Sequence, residues 1–173
     1  MDFGFVKGNV DNRLVRSHEG YSSYLLIVDH KTRYMWVFLT KNKKPPVKVI
    51  TKFIKIYGLK QDLVKVVRTD QGGELAKDLS FREALSTLGY QVEITNADNS
   101  SQNGKVERPH CTLGQMMHAA LTNAGLHPKY WSDALLHSVF MKNRLPHSVF
   151  DFKSTPYQEL TGVKPNLSNL KIF

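Results

Sequence analysis

The chain has 173 residues, enough for one domain with a real core, and 41% of them are apolar. Lys and Arg outnumber Asp and Glu by 24 to 15, a net charge of +9, which points to a polyanionic partner, with nucleic acid ahead of an anionic membrane surface. No apolar run approaches the ~20 residues of a membrane-spanning helix and no signal-peptide core opens the chain. The single cysteine, Cys111, excludes an internal disulfide and a Cys-rich zinc site, so a soluble intracellular protein is expected.

The first half reads as strands. "MDFGFV" (1–6) is one, cut short by the start of the chain, and the polar, Gly-punctuated stretch 7–22 is a loop or an irregular hairpin. "YLLIVDH" (24–30) and "YMWVFLT" (34–40) are apolar, aromatic and β-branched, joined by a connector of hairpin length. After "NKKPP", residues Val47, Ile50, Phe53, Ile54 and Tyr57 follow the period of a helix with one apolar face, which Gly58 ends. "LVKVVRT" (63–69) is a strand broken by "DQGGE"; "LSFREALSTLG" (79–89) is a short helix and "YQVEIT" (90–95) another strand. "NADNSSQNG" (96–104) reads as a long polar loop whose Asn103 and Gly104 turn into a helix over about 106–124. A second helix spans about 128–144, with Trp131, Leu135, Val139 and the stem of Lys142 on one face and Pro146 as its stop. In "STPYQELTG" (154–162), Thr155 is a cap, Pro156 a first helical residue and Gly162 a terminator. Three strands with short links suit an antiparallel meander, and the later strand, helix and strand suit a parallel crossover. The fold class is therefore α/β, a mixed sheet flanked by helices.

Three carboxylates fall where that layout brings chain ends together, because open sheets with parallel strands carry their sites at the carboxyl edge. Asp2 is in the first strand, Asp70 ends the strand 63–69, and Glu107 opens the helix after the polar loop. Each also has a plainer use. Asp2 can be solvated at a frayed end, Asp70 can accept turn hydrogen bonds, and Glu107 can meet the positive end of the helix dipole, worth about 0.3–1 kcal/mol. Asp29 suits turn capping, while Glu74 and Asp78 suit a solvated loop and a helix start. Composition does not choose among these acids. The seven histidines show no metal-ligand spacing and read as surface or satisfied core residues.

Six segments, taken in order, resemble the integrase catalytic core of copia-type (Pseudoviridae) LTR retrotransposons, in the retroviral integrase superfamily. They are "MDFG" (1–4), "YLLIVDHKTRYMWVFLTKNK" (24–43), "VVRTDQGGE" (66–74), "SSQNGKVER" (100–108), "YWSDALLHSVFMKNRLPHS" (130–148) and "STPYQELTGVKPNLSNL" (154–170). The resemblance implies an RNase H-like fold with a five-stranded mixed sheet, three antiparallel strands followed by parallel ones. It implies a single domain over 1–173, helical from about 126. It also implies an Asp, Asp, Glu triad, which falls motif by motif on Asp2, Asp70 and Glu107, with 36 residues between the last two.

Such a triad of hard oxygen ligands suits two Mg²⁺ or Mn²⁺ ions and an in-line phosphoryl displacement that joins element DNA ends to target DNA. DNA is then the partner, and the full-length protein is expected to be a nuclear homo-oligomer. Candidate DNA contacts are Arg68, Asn103, Lys105 and Arg108 beside the site, with Lys7, Arg13 and Arg16 in the early loop. Full-length members of the family carry a zinc-binding His/Cys domain upstream and a further part downstream. The chain is therefore expected to be a core alone, weak in strand transfer by itself. The competing readings are a catalytically impaired remnant that keeps basic nucleic-acid affinity, and another RNase H-like nuclease.

Overall fold

The computed structural model describes residues 1–7, 13–42, 44–57, 65–70, 74–95, 100–168 and 170, with only the backbone at residues 70, 95 and 100–107. Strands β1 (Asp2–Gly4), β2 (Ser23–Val28) and β3 (Met35–Thr40) pair antiparallel in that order, with Asp2 opposite Leu26 and Gly4 opposite Tyr24. The hairpin between β2 and β3 is closed by Asp29, whose Oδ2 accepts both the backbone N–H and the hydroxyl of Thr32 at 2.7 Å, the turn-capping role expected of it. An isolated antiparallel bridge joins Lys7 to Leu14.

Strands β4 (Lys65–Asp70) and β5 (Tyr90–Thr95) pair in parallel, Lys65 opposite Tyr90 and Asp70 opposite Thr95. Helix α2 (Leu79–Thr87) lies between them in the chain, as the expected crossover requires. Asp78 caps it by accepting the N–H of Phe81, a more specific task than a solvated helix start. The expected five strands thus occur, but the described ladders form a three-stranded and a two-stranded sheet. β1 is three residues long and has little backbone with which to extend a ladder to β4. The terminal amino group of Met1 nevertheless donates to the carbonyl of Arg68 at 2.6 Å, tying the start of β1 to β4.

Strand β2 is buried on both faces, which is why it reads as a continuous apolar run. The period-two alternation sends Leu25 and Ile27 one way and Tyr24 and Leu26 the other. Leu25 and Ile27 pack with Ile50 and Ile54 of α1 (Val47–Tyr57), Val67 of β4, and Phe81 and Leu85 of α2. The expected end of α1 at Gly58 lies outside the described residues. Tyr24 and Leu26 pack with Met35, with Leu113 and Met117 of α3 (Ser100–Asn123), and with Trp131, Ala134, Leu135 and Val139 of α4 (Trp131–Arg144). On α4 the next buried position is Asn143 and not the stem of Lys142. The Asn143 amide bonds both backbone groups of Met35, N–H to Oδ1 and Nδ2–H to the carbonyl, each at 2.8 Å. β3 is an edge strand, and this amide pairs Met35 as a further strand would. Helix α5 (Pro156–Thr161) has the expected cap at Thr155 and a left-handed Gly162 after it, φ 75°.

Helix α3 departs from the sequence reading. It starts at Ser100, so residues 100–104 are helical and Asn103 and Gly104 do not form the turn that "QNG" suggests. Once the buried turns at Leu113 and Met117 nucleate a helix, adding a residue at its start is far less demanding than starting one, and a single Gly subtracts only about 1 kcal/mol. Glu107 is accordingly the eighth residue of the helix, beyond the first turn where the dipole is felt. Pro109 lies in the helix interior, where it has no N–H to offer the carbonyl of Lys105. No helix among the described residues is long and apolar enough to cross a membrane.

Candidate active site

Asp2 is the expected site acid whose side chain is described. It is opposite Leu26 in the β1–β2 ladder, one-quarter exposed, and its Oδ2 lies 3.2 Å from Nε2 of His110 on α3. That pair is close in distance, but the contact is not aligned as a hydrogen bond, and among the described residues the buried Nε2 has no other partner. The other ring nitrogen, Nδ1, is 3.0 Å from the hydroxyl of Tyr24, and the two rings are 5.6 Å apart. Tyr24 reaches His110 by crossing over Gly4, its partner in the ladder. A Cβ at Gly4 would sit 2.2 Å from the Tyr24 ring, so the crossing requires glycine there. Burial, then the negative charge of Asp2, then Cys111, push the Tyr24 hydroxyl up to about 12, so it remains a protonated donor at neutral pH.

The other two acids are described through their backbone. Asp70 is the last residue of β4, two residues past the Arg68 carbonyl that receives the Met1 amino group. Glu107 is three residues before His110 in α3, a spacing that lies on one face of a helix. Asn103 and Lys105 lie in the first turns of α3, and Arg108 is exposed on it. Arg68 is also exposed but engaged: its Nε donates to Glu93 at 2.7 Å, across the ladder from it. An exposed pair of this kind is worth at most ~1 kcal/mol and can be exchanged for a phosphate.

His110 is the functional candidate that sequence reading grouped with surface and core histidines. Its signal was available in its distance from Glu107, three residues on along the same helix. Among the described residues no group of three or more His, Cys, Asp or Glu side chains could hold a metal ion. The described part of the site offers one donor group of the kind hard divalent cations take, the partly accessible Asp2 carboxylate.

The fold is that of retroviral integrase catalytic cores, which are RNase H-like. The crystal structure of the catalytic core domain of BIV integrase superposes with a TM-score of 0.63 at 14% identity, covering 93% of this chain and 92% of that one. A chain of the simian T-cell lymphotropic virus intasome, solved in complex with PP2A regulatory subunit B56 gamma, gives a TM-score of 0.67 at 17% identity, covering 99% of this chain and 58% of that one. The homologues are retrovirus-related Pol polyproteins from plant transposons, and Pol of foamy viruses. The polyproteins of transposons RE1 and RE2 of Arabidopsis thaliana are 28% and 29% identical over 170 residues, 98% of this chain. Pro-Pol of simian foamy virus type 3 is 27% identical over 149 residues, 85% of the chain. The chain spans about a tenth of the length of these relatives, 11% for the two plant polyproteins and 12% for the viral one. No family model matches the chain.

Proposed function

We propose that this chain is the catalytic core of a retroelement integrase, a polynucleotidyl transferase that joins element DNA ends to target DNA. Asp2, Asp70 and Glu107 would hold two divalent cations, Mg²⁺ or Mn²⁺, and such ions would supply charge stabilisation for an in-line phosphoryl displacement. The chain's own residues do the rest. β1 and His110 hold the Asp2 carboxylate, and α3 brings the segment that carries Glu107 to the same strand. Arg68, Asn103, Lys105 and Arg108 contact DNA beside the site, and the net charge of +9 draws the duplex in.

The observation that carries the reading is the 3.2 Å contact of Asp2 with His110, because it brings together the strand and the helix that bear two of the three acids. The intasome neighbour supports DNA and further copies of the chain as partners, and nuclear action follows from a chromosomal target.

The test is a strand-transfer assay on wild type and Asp2→Asn in Mg²⁺ and in Mn²⁺. Joined products that Asp2→Asn reduces by at least ~100-fold are expected, since the substitution removes a carboxylate that holds the cations on which the displacement depends. Cut but unjoined DNA would point to an RNase H-like nuclease. Binding without either product would point to a remnant that keeps only affinity, a reading favoured by Pro109 inside α3. In every case but the loss of all binding, DNA affinity should fall roughly 10- to 100-fold between 50 and 200 mM salt, the response of about three neutralised phosphates.

A further inference from the structure

We propose that His110 is a positioning residue for Asp2, fixed by Tyr24 so that its Nε2–H is presented to the Asp2 carboxylate. The inference rests on the reading of Asp2 as a cation ligand.

The tautomer follows from the contacts. Tyr24 is buried and its hydroxyl meets Nδ1 at 3.0 Å. If Nδ1 carried the proton, Nε2 would present a lone pair to the carboxylate oxygen 3.2 Å away, lone pair against negative charge. If the Tyr24 hydroxyl donates to Nδ1, the neutral ring carries its proton on Nε2, where Asp2 accepts it. The second arrangement satisfies all three groups. It puts the proton on the ring nitrogen that lies 3.2 Å from the Asp2 carboxylate and has no aligned partner among the described residues.

The device is anchored at both ends. Tyr24 belongs to the core layer that also holds Leu113 and Met117 of α3, so ring and helix move as one body. Gly4 gives the Tyr24 ring its path across β1, and a larger residue there would displace the hydroxyl from His110. β1 itself is only three residues long, Asp2–Gly4. A strand this short makes few ladder bonds of its own, and the His110 contact adds a hold at the residue whose direction matters most. Partners that orient a ligating carboxylate typically contribute 10- to 100-fold in metal affinity.

The experiment is a Mn²⁺ titration of the 173-residue chain, following free Mn²⁺ by electron paramagnetic resonance. It is run on wild type, Asp2→Asn, His110→Leu, His110→Gln and Tyr24→Phe, with metal-free thermal unfolding of each. We expect Asp2→Asn and His110→Leu to weaken Mn²⁺ binding at least tenfold and Tyr24→Phe about threefold. His110→Gln, whose amide can donate from the Nε2 position, should stay within about threefold of wild type. Because Gln is a poor substitute for an imidazole ligand, that rescue separates positioning from direct ligation by His110.

A purely structural role would lower the metal-free unfolding temperature and leave the affinity of the folded protein alone. Wild-type Mn²⁺ affinity in both His110→Leu and Tyr24→Phe, with Asp2→Asn impaired, would overturn the role of His110 and leave that of Asp2 standing. Should His110→Leu itself unfold, Tyr24→Phe and His110→Gln carry the same decision. Unchanged affinity in Asp2→Asn would overturn the reading of Asp2 and the inference with it.

Discussion

The two faces of β2 are built on different principles. Toward α1 and α2 the strand presents Leu25 and Ile27 to an apolar layer of Ile50, Ile54, Val67, Phe81 and Leu85, with a buried hydroxyl pair, Ser23 and Thr40 at 2.8 Å, at its end. Toward α3 and α4 the same strand presents Tyr24 and Leu26, and this layer is crossed by directional bonds. Tyr24 meets His110, the Trp131 indole donates to the Val15 carbonyl at 2.9 Å, and the Asn143 amide brackets Met35. Non-directional burial can hold a sheet against a helix but tolerates sliding and rotation. Hydrogen bonds fix distance and angle. The face that carries the candidate site ties side chains of α3 and α4 to the sheet by hydrogen bonds, and the reason lies in what a carboxylate site needs: side chains held to within a fraction of an ångström.

The contrast can be broken by substitution. The largest effect is expected on the apolar face: Phe81→Ala removes a side chain that is 1% exposed and should cost about 3–5 kcal/mol in urea unfolding. It should leave the Mn²⁺ affinity of the folded protein unchanged. On the other face, Asn143→Leu keeps the branched shape, though with a larger side chain, but strands the Met35 N–H and carbonyl, and a loss of about 2–4 kcal/mol is expected. A loss below about 0.5 kcal/mol would mean that water replaces the amide at the β3 edge and that the directional bonds there do not hold the face.

A smaller effect is expected at the cap of α2, on the apolar side. The Ser80 hydroxyl first, and then the Phe81 N–H, hold the Asp78 carboxyl below its ordinary value of 3.8. A depressed pKa in the folded state means that the cap contributes fully above the ordinary carboxylate range and is lost as the pH falls through it. Asp78→Ala should therefore cost about 1 kcal/mol at neutral pH, and the difference from wild type should shrink as the pH is lowered below about 4. An unchanging difference down to pH 2 would remove the carboxylate from the explanation. The smallest effect is a gain: Gly114 lies within α3, and a Cβ there would meet nothing within 4 Å. Gly114→Ala should stabilise the chain by about 0.5–1 kcal/mol, raising Tm by roughly 2–4 °C.

Much of the architecture was legible in local sequence. The apolar runs gave β2 and β3, the period of Val47, Ile50, Ile54 and Tyr57 gave α1, and the "STPYQELTG" signature gave α5 with its cap and terminator. Asp29 met its turn because an Asp after a strand bonds the backbone a few residues on, within a window that sequence reading can see. The start of α3 was misread because "SSQNG" carries turn residues, and the packing that extends the helix through them lies more than two turns downstream.

What the sequence by itself determined is what neighbours along the chain decide: where strands and helices form, the basic balance, and the order of motifs that resembles an integrase core. What only the tertiary structure decided are the pairings between distant positions. Tyr24 and His110 are 86 residues apart, and Asn143 and Met35 are 108 apart. No local preference encodes such a pair, because each partner's residue type has many other uses. A histidine becomes a positioning group, and an asparagine an edge strand's partner, only when folding has closed the chain between them and removed the water that would otherwise satisfy both.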